Sequence, residues 1–176
     1  MLDSEYRTRR NNMRILALDA STKSTGIALF EDKELIKYDC FTATSTDLVK
    51  RIQKIITNLN LFLSENKVDK IILEEVRPET GTNLNTYRAL MWLQAAINFL
   101  IHENYSTVKI EYVYPSSWRA ACNIKNGRGI KREELKQADI QFVYNKYNIS
   151  VNDDIADAIC IGHAHVHKLT DELNWG

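Results

Sequence analysis

Two apolar runs that flank a short polar turn near the start of the chain constrain the fold most. Residues 15–18 are apolar and lead directly into a single carboxylate, Asp19; small polar residues 20–26 follow, and residues 27–30 are apolar again. This pattern predicts a β-hairpin. Asp19 either caps the turn with its own side chain or needs a cation, because a strand that is buried on both faces does not otherwise accommodate a carboxylate.

The remaining pattern predicts one α/β domain over residues 13–170. Further strands are predicted at residues 34–41, 68–76 and 108–114, and helices at residues 47–65, 84–103, 131–147 and 151–168. Right-handed crossovers then give a mixed five-stranded sheet, with three antiparallel strands followed by parallel strands and with helices on both faces. Residues 1–12 are polar and aperiodic, which predicts a disordered N-terminal extension.

The composition excludes several classes of protein. Apolar residues make up 44% and charged residues 26% of the 176 residues, as in globular proteins, and no apolar run is long enough to cross a bilayer. The three cysteines are scattered and form no CxxC pair, which is typical of buried thiols in a reducing cytoplasm. Lys plus Arg and Asp plus Glu balance at 23 each, so nucleic-acid binding would require a local basic patch. We therefore expect a cytoplasmic protein without membrane association.

Four carboxylates stand at the ends of predicted elements. Asp19 and Glu74 follow buried strands, and Glu75 should point to the opposite face from Glu74. Asp154 and Asp157 share one face of the last helix, where the helix dipole explains Asp154 better than Asp157. Oxygen ligands select Mg²⁺ or Mn²⁺, and two such ions about 4 Å apart assist phosphoryl transfer. The four acids therefore predict a two-metal catalytic site.

Several short motifs resemble those of the RuvC Holliday-junction resolvases, in the RNase H-like (retroviral integrase) superfamily. They are RILALD at residues 14–19, TGIA at residues 25–28, ILEEV at residues 72–76 and DIADAI at residues 154–159. The resemblance implies an RNase H-like fold and a Mg²⁺-dependent endodeoxyribonuclease, without a nucleotide cofactor, that acts as a homodimer and makes paired nicks in branched DNA. It places the catalytic, metal-binding acids at Asp19, Glu74, Asp154 and Asp157. Ala20-Ser21 stands where cellular members usually have Pro-Gly, a departure that resembles phage-type relatives.

Basic residues after the fourth and fifth predicted strands are candidates for DNA contacts. They are Arg77, Arg119, Lys125, Arg128, Lys131, Arg132 and Lys136. With Gly127 and Gly129 nearby, this segment could follow phosphates through charge and backbone N–H groups, or it could be a solvated surface loop. Trp118 and Tyr114 are predicted to lie in the core.

The helix at residues 84–103 is apolar around much of its girth, which indicates either deep burial or a partner. It is therefore the expected dimer interface, with Met91 or Trp92 exposed in an isolated subunit.

Three alternatives remain open at this point. They are a sugar-kinase-like or actin-like ATPase, which would need a second such domain; a resolvase-like nuclease that processes structured RNA; and a non-catalytic DNA-binding module on the same fold.

Overall fold

The computed structural model describes residues 12–78, 83–125, 127 and 129–171, with the backbone alone for residues 168–171. Five strands form one sheet: β1 (Arg14–Asp19), β2 (Ser24–Glu31), β3 (Glu34–Thr42), β4 (Lys70–Glu74) and β5 (Lys109–Val113). Five helices complete the described chain: α1 (Leu48–Glu65), α2 (Leu84–Asn104), α3 (Pro115–Ala121), α4 (Arg132–Tyr147) and α5 (Asp153–Asp171). None of these helices has the length and apolar character needed to cross a bilayer. The predicted extension at residues 1–12 lies, except for Asn12, outside the described residues.

The sheet has the order β3-β2-β1-β4-β5, with β1, β2 and β3 antiparallel and with β4 and β5 parallel to β1. The predicted mixed five-stranded sheet is therefore confirmed. Leu18 of β1 pairs with Leu73 of β4. Because the two strands are parallel, Asp19 and Glu74 leave the sheet side by side at its carboxyl edge.

The sheet is covered on both faces because its central strands are apolar on both sides. Leu16 and Leu18 of β1 point into a core that α1 and α2 cover. Ile15 and Ala17 point the other way, into a core that α3, α4 and α5 cover. The carboxyl edge of the sheet is therefore open between two helical layers.

The predicted hairpin turn is longer than the observed one. Ser24, Thr25 and Gly26 have the composition of a turn, yet they form the first residues of β2 and pair with β3. Gly26 lies opposite Asp19, and the backbone of α5 crosses directly over it: a Cβ at Gly26 would lie 1.8 Å from the carbonyl oxygen of Asp154. Only glycine fits under this crossing, and that close approach explains a glycine inside the strand.

Candidate active site

The four carboxylates that the sequence singled out line one cavity of about 570 Å³ at the carboxyl edge of the sheet. Asp19 ends β1, Glu74 ends β4, and Asp154 and Asp157 project from the first turns of α5. Contrary to the expectation that Glu75 faces away from Glu74, it lines the same cavity, and its carboxylate lies 3.8 Å from the guanidinium of Arg77. We call this space the acid cavity.

Local sequence holds α5 against the sheet at this point. The side chain of Asn152 accepts a hydrogen bond (2.9 Å) from the backbone N–H of Ile155 and so caps the helix. Ala156 and Ala158 are fully buried, and their small side chains allow close packing. Together with Gly26 beneath the first turn, they bring the backbone of α5 close enough for its acids to reach the ends of β1 and β4.

Burial and mutual repulsion raise the pKa of two of these acids. Burial is the largest cause for Asp19, whose pKa rises to about 8, and the charges of Glu74 and Asp154 add to it. The pKa of Asp157 rises to about 9, again first through burial and then through Asp19 and the nearby carboxyl of Asp139. The surrounding protein therefore supplies too little positive charge to balance these carboxylates when they are ionised, and a bound cation would supply the rest.

Three of the four acids have a protein partner that occupies a carboxylate oxygen. The indole N–H of Trp118 donates a 2.7 Å hydrogen bond to Glu74 Oε2, and the Ser24 hydroxyl donates to Asp154 Oδ2. The guanidinium of Arg119 lies 3.8 Å from Asp157 Oδ2. As these side chains stand, no three His, Cys, Asp or Glu residues in the described part of the chain are grouped to hold a metal ion.

The donor chemistry nevertheless fits a hard divalent cation. All four side chains offer carboxylate oxygens, which Mg²⁺ and Mn²⁺ prefer. The Oδ1 atom of Asp157 is buried and has no hydrogen-bond partner among the described residues. Rotation of the carboxylates away from Ser24 and Arg119 would free oxygens for an ion in the acid cavity.

A buried ion pair behind the acids was not foreseen from the sequence. Asp139 of α4 is fully buried and accepts hydrogen bonds from Arg119 Nη2 (3.1 Å) and Nε (3.3 Å). Arg119 is itself mostly buried, with its guanidinium 4.1 Å from the centre of the Trp118 ring. The available signal was Asp139 itself, an acid between Ala138 and Ile140 in the middle of a helix.

The predicted DNA-binding residues divide into three groups. Four of them line the acid cavity: Arg77, Arg119, Arg132 and Lys136. Lys125 and Lys131 are exposed outside the residues that line it, and Arg128 lies outside the described residues. Within the first group, Lys136 is paired with Asp153, and that hydrogen bond lowers the pKa of Asp153.

The predicted core position is right for Trp118 and wrong for Tyr114. Trp118 is 2% exposed, whereas Tyr114 is 38% exposed, with the guanidinium of Arg77 stacked 3.5 Å from the centre of its ring. Tyr114 follows β5, which forms an edge of the sheet, and this position accounts for its exposure.

Comparison with known proteins gives structural matches only. No protein-family model and no curated protein matches the sequence. Thermus thermophilus RuvC in complex with a Holliday-junction substrate matches with a TM-score of 0.69 and 14% identity, over 90% of this chain and 96% of that chain. A second Thermus thermophilus RuvC structure matches with a TM-score of 0.69 and 13% identity, over 91% of this chain and 97% of that chain. The yeast mitochondrial Holliday-junction resolvase Ydc2 matches with a TM-score of 0.62 and 12% identity, over 93% of this chain and 82% of that chain. The fold of this chain is therefore the RNase H-like fold of the RuvC-type Holliday-junction resolvases.

Proposed function

We propose that this protein is a metal-dependent, structure-selective endodeoxyribonuclease that nicks Holliday junctions or other branched DNA. The observation that carries the proposal is the acid cavity, where four carboxylates from three elements meet beside Arg77, Arg132 and Lys136. A site that only bound DNA would not hold uncompensated acids next to phosphates, because the charges repel. The structural likeness to two resolvases, one of them in complex with a Holliday junction, supports DNA as the substrate.

The catalytic roles follow from where the acids lie. Asp19, Glu74, Asp154 and Asp157 would hold Mg²⁺ or Mn²⁺, which supplies an activated water and stabilises the leaving oxygen. The indole N–H of Trp118 fixes the orientation of Glu74.

Basic side chains supply the rest of the proposed site. Arg119 keeps a permanent positive charge next to Asp157, because the buried carboxylate of Asp139 holds it there. On the rim, Arg77 and Arg132 would contact phosphates and set the position of the strand, together with Lys125, Arg128, Lys131 and Lys136.

A homodimer is part of this proposal. Paired nicks on a two-fold junction need two sites related by two-fold symmetry, and one chain supplies one site. The expected exposure on α2 is confirmed: Met91 is 39%, Trp92 49% and Phe99 70% exposed. Because three large apolar side chains of one helix are exposed, α2 is the surface that we assign to the second copy.

The nuclease domain in this proposal comprises residues 13–170. We place the protein among divergent, phage-type relatives because Ala20-Ser21 follows the first acid, and we place its action in the cytoplasm, on recombination or repair intermediates.

The test is a cleavage assay on a four-way junction, a fork, a linear duplex and a structured RNA, each with Mg²⁺ or with EDTA. We expect Mg²⁺-dependent nicks in the branched DNA and little cleavage of the other two substrates. Asp19→Asn and Asp157→Asn should abolish nicking and leave junction binding in place, because the loss is confined to metal-assisted chemistry. Asp39→Asn, which changes an exposed acid on β3, is the matched control and should nick normally. Preferential cleavage of the RNA would assign the site to RNA processing, and normal nicking by Asp157→Asn would remove that residue from the site.

A further inference from the structure

A second cavity, of about 370 Å³, opens beside the acid cavity on the α1–α2 side of the sheet. It shares Ser21, Thr86 and Leu90 with the acid cavity, so the two spaces adjoin. Its remaining lining comes from the β1–β2 turn, α1 and α2: Thr22, Lys23, Arg51, Asn85 and Ala89. We call this space the α1–α2 groove.

The α1–α2 groove is basic, in contrast to the acid cavity. Lys23 and Arg51 are its charged lining residues, no acid lines it, and neither cation forms an ion pair with a described residue. Lys23 is exposed at the mouth. Two positive charges without a protein counter-charge favour an anionic ligand.

Arg51 is held ready for such a ligand. Its Nη1 atom donates to the backbone carbonyls of Ser45 (2.9 Å) and Thr46 (3.0 Å), which fixes the guanidinium plane. Within the described residues its Nε and Nη2 have no acceptor, and Nε is buried. Because Nε is buried and Nη1 is bonded, Nη2 is the donor that remains for a phosphate oxygen, and the fixed guanidinium loses little side-chain entropy on binding.

The position of the α1–α2 groove relative to the acids suggests which phosphate it would take. Arg132 and Lys136 reach the acid cavity from α4, on one face of the sheet, whereas Arg51 reaches the groove from α1, on the other face. The acids lie at the sheet edge between these two layers. A strand with one phosphate at the acids would therefore pass over α4 in one direction and into the groove in the other.

We propose that the α1–α2 groove binds a phosphodiester group of the cleaved strand next to the scissile phosphate, through Arg51 and Lys23. This inference rests on the proposed nuclease function. Thr22, Asn85 and Thr86 also line the groove. A contact to phosphate alone would position the strand without reading its sequence.

The experiment measures binding and nicking of a four-way junction by Lys23→Gln, by Arg51→Gln and by a control, Lys54→Gln. Lys54 is an exposed cation on α1 that does not line the groove. Binding is measured in EDTA over a range of salt concentrations. Each groove variant should weaken binding several-fold and reduce the slope of log K against log[salt] by about 0.7–0.9, the loss of one phosphate contact. The control should match the wild type. Lys23→Gln changes an exposed side chain, so this variant tests the inference even if Arg51→Gln fails to fold.

Neutral methylphosphonate linkages then locate the contact. They are placed one at a time at the phosphates on either side of the mapped nick. One linkage should weaken binding to the wild type more than binding to either groove variant, because each variant has already lost one of the two contacts to that phosphate.

The outcomes separate this inference from the proposed function. If the wild type nicks the junction and the groove variants behave like Lys54→Gln, the phosphodiester contact in the α1–α2 groove is rejected and the nuclease function is retained. An equal methylphosphonate effect on the wild type and on the groove variants leads to the same conclusion. A wild type that binds the junction in a groove-dependent manner and never nicks overturns the nuclease and retains the groove as a phosphodiester site. A wild type that neither binds nor nicks branched DNA overturns both.

Discussion

Gly26→Ala is the substitution that most directly tests how α5 is held over the sheet. The added Cβ would lie 1.8 Å from the carbonyl oxygen of Asp154 and 3.0 Å from the backbone nitrogen of Ile155. A carbon–oxygen contact is ordinarily about 3.3 Å, so the first turn of α5 would have to move by about 1.5 Å. Both clashing atoms belong to the helix backbone, so a change of side-chain rotamer does not remove the clash.

The expected cost falls more on catalysis than on stability. Overpacking of this kind ordinarily costs about 1–3 kcal/mol of unfolding free energy, which a domain of this size survives. A displacement of about 1 Å at a catalytic group costs on the order of 100-fold in rate, and here Asp154 and Asp157 move together. We therefore expect a folded protein that nicks at least about 100-fold more slowly.

The assay pairs urea unfolding, for stability, with the single-turnover rate of junction nicking. Gly162→Ala is the matched control: it lies on the same helix, away from the acids, and its Cβ would meet the buried Phe30 ring at 2.3 Å. The control should lose stability and nick within a few-fold of the wild type. A Gly26→Ala protein with wild-type nicking would refute the reasoning, and so would an equal loss of rate in the two variants.

Three further outcomes follow from the site and from the surface of α2. Because the pKa of Asp19 is raised from 3.8 to about 8 and that of Asp157 from 3.8 to about 9, the folded, metal-free protein binds more protons than the unfolded chain between about pH 4 and pH 9. Its unfolding free energy should therefore fall as the pH rises through this window, by up to about 1.4 kcal/mol per pH unit for each proton. Mg²⁺ should raise Tm more at pH 9 than at pH 7. An unfolding free energy from urea titrations that does not change with pH would contradict this expectation. Trp118→Phe removes the hydrogen bond to Glu74, so calorimetry should show Mg²⁺ affinity at least about tenfold lower. Light scattering should show a dimer for the native protein and a monomer for Trp92→Asp, whereas a native monomer even on junction DNA would rule out paired nicking.

The sequence predicted the sheet and the location of the acids because both depend on short-range patterns. Apolar runs with turn residues between them identify strands, and parallel strands must end at a common edge, so Asp19 and Glu74 could be expected to meet. The face shared by Asp154 and Asp157 follows from helical periodicity alone.

The features that were missed depend on contacts between distant segments. Arg119 and Asp139 lie on different helices, and no local pattern shows that one side chain neutralises the other. The start of β2 was missed because its first residues have turn composition, yet tertiary pairing with β3 overrides that preference. The α1–α2 groove combines the β1–β2 turn with two helices, a juxtaposition that only the assembled fold provides.

The division of the acids between early strands and the last described helix has a consequence for biosynthesis. Asp19 and Glu74 are made first, and the ribosome must add eighty more residues after Glu74 before Asp154 exists. At roughly 5–20 residues per second, this interval is about 4–16 s. During that time the nascent chain carries half of the acid set and cannot assemble the proposed nuclease site. If the protein is the proposed nuclease, a growing chain cannot cut nearby DNA until α5 has been made and has docked over Gly26.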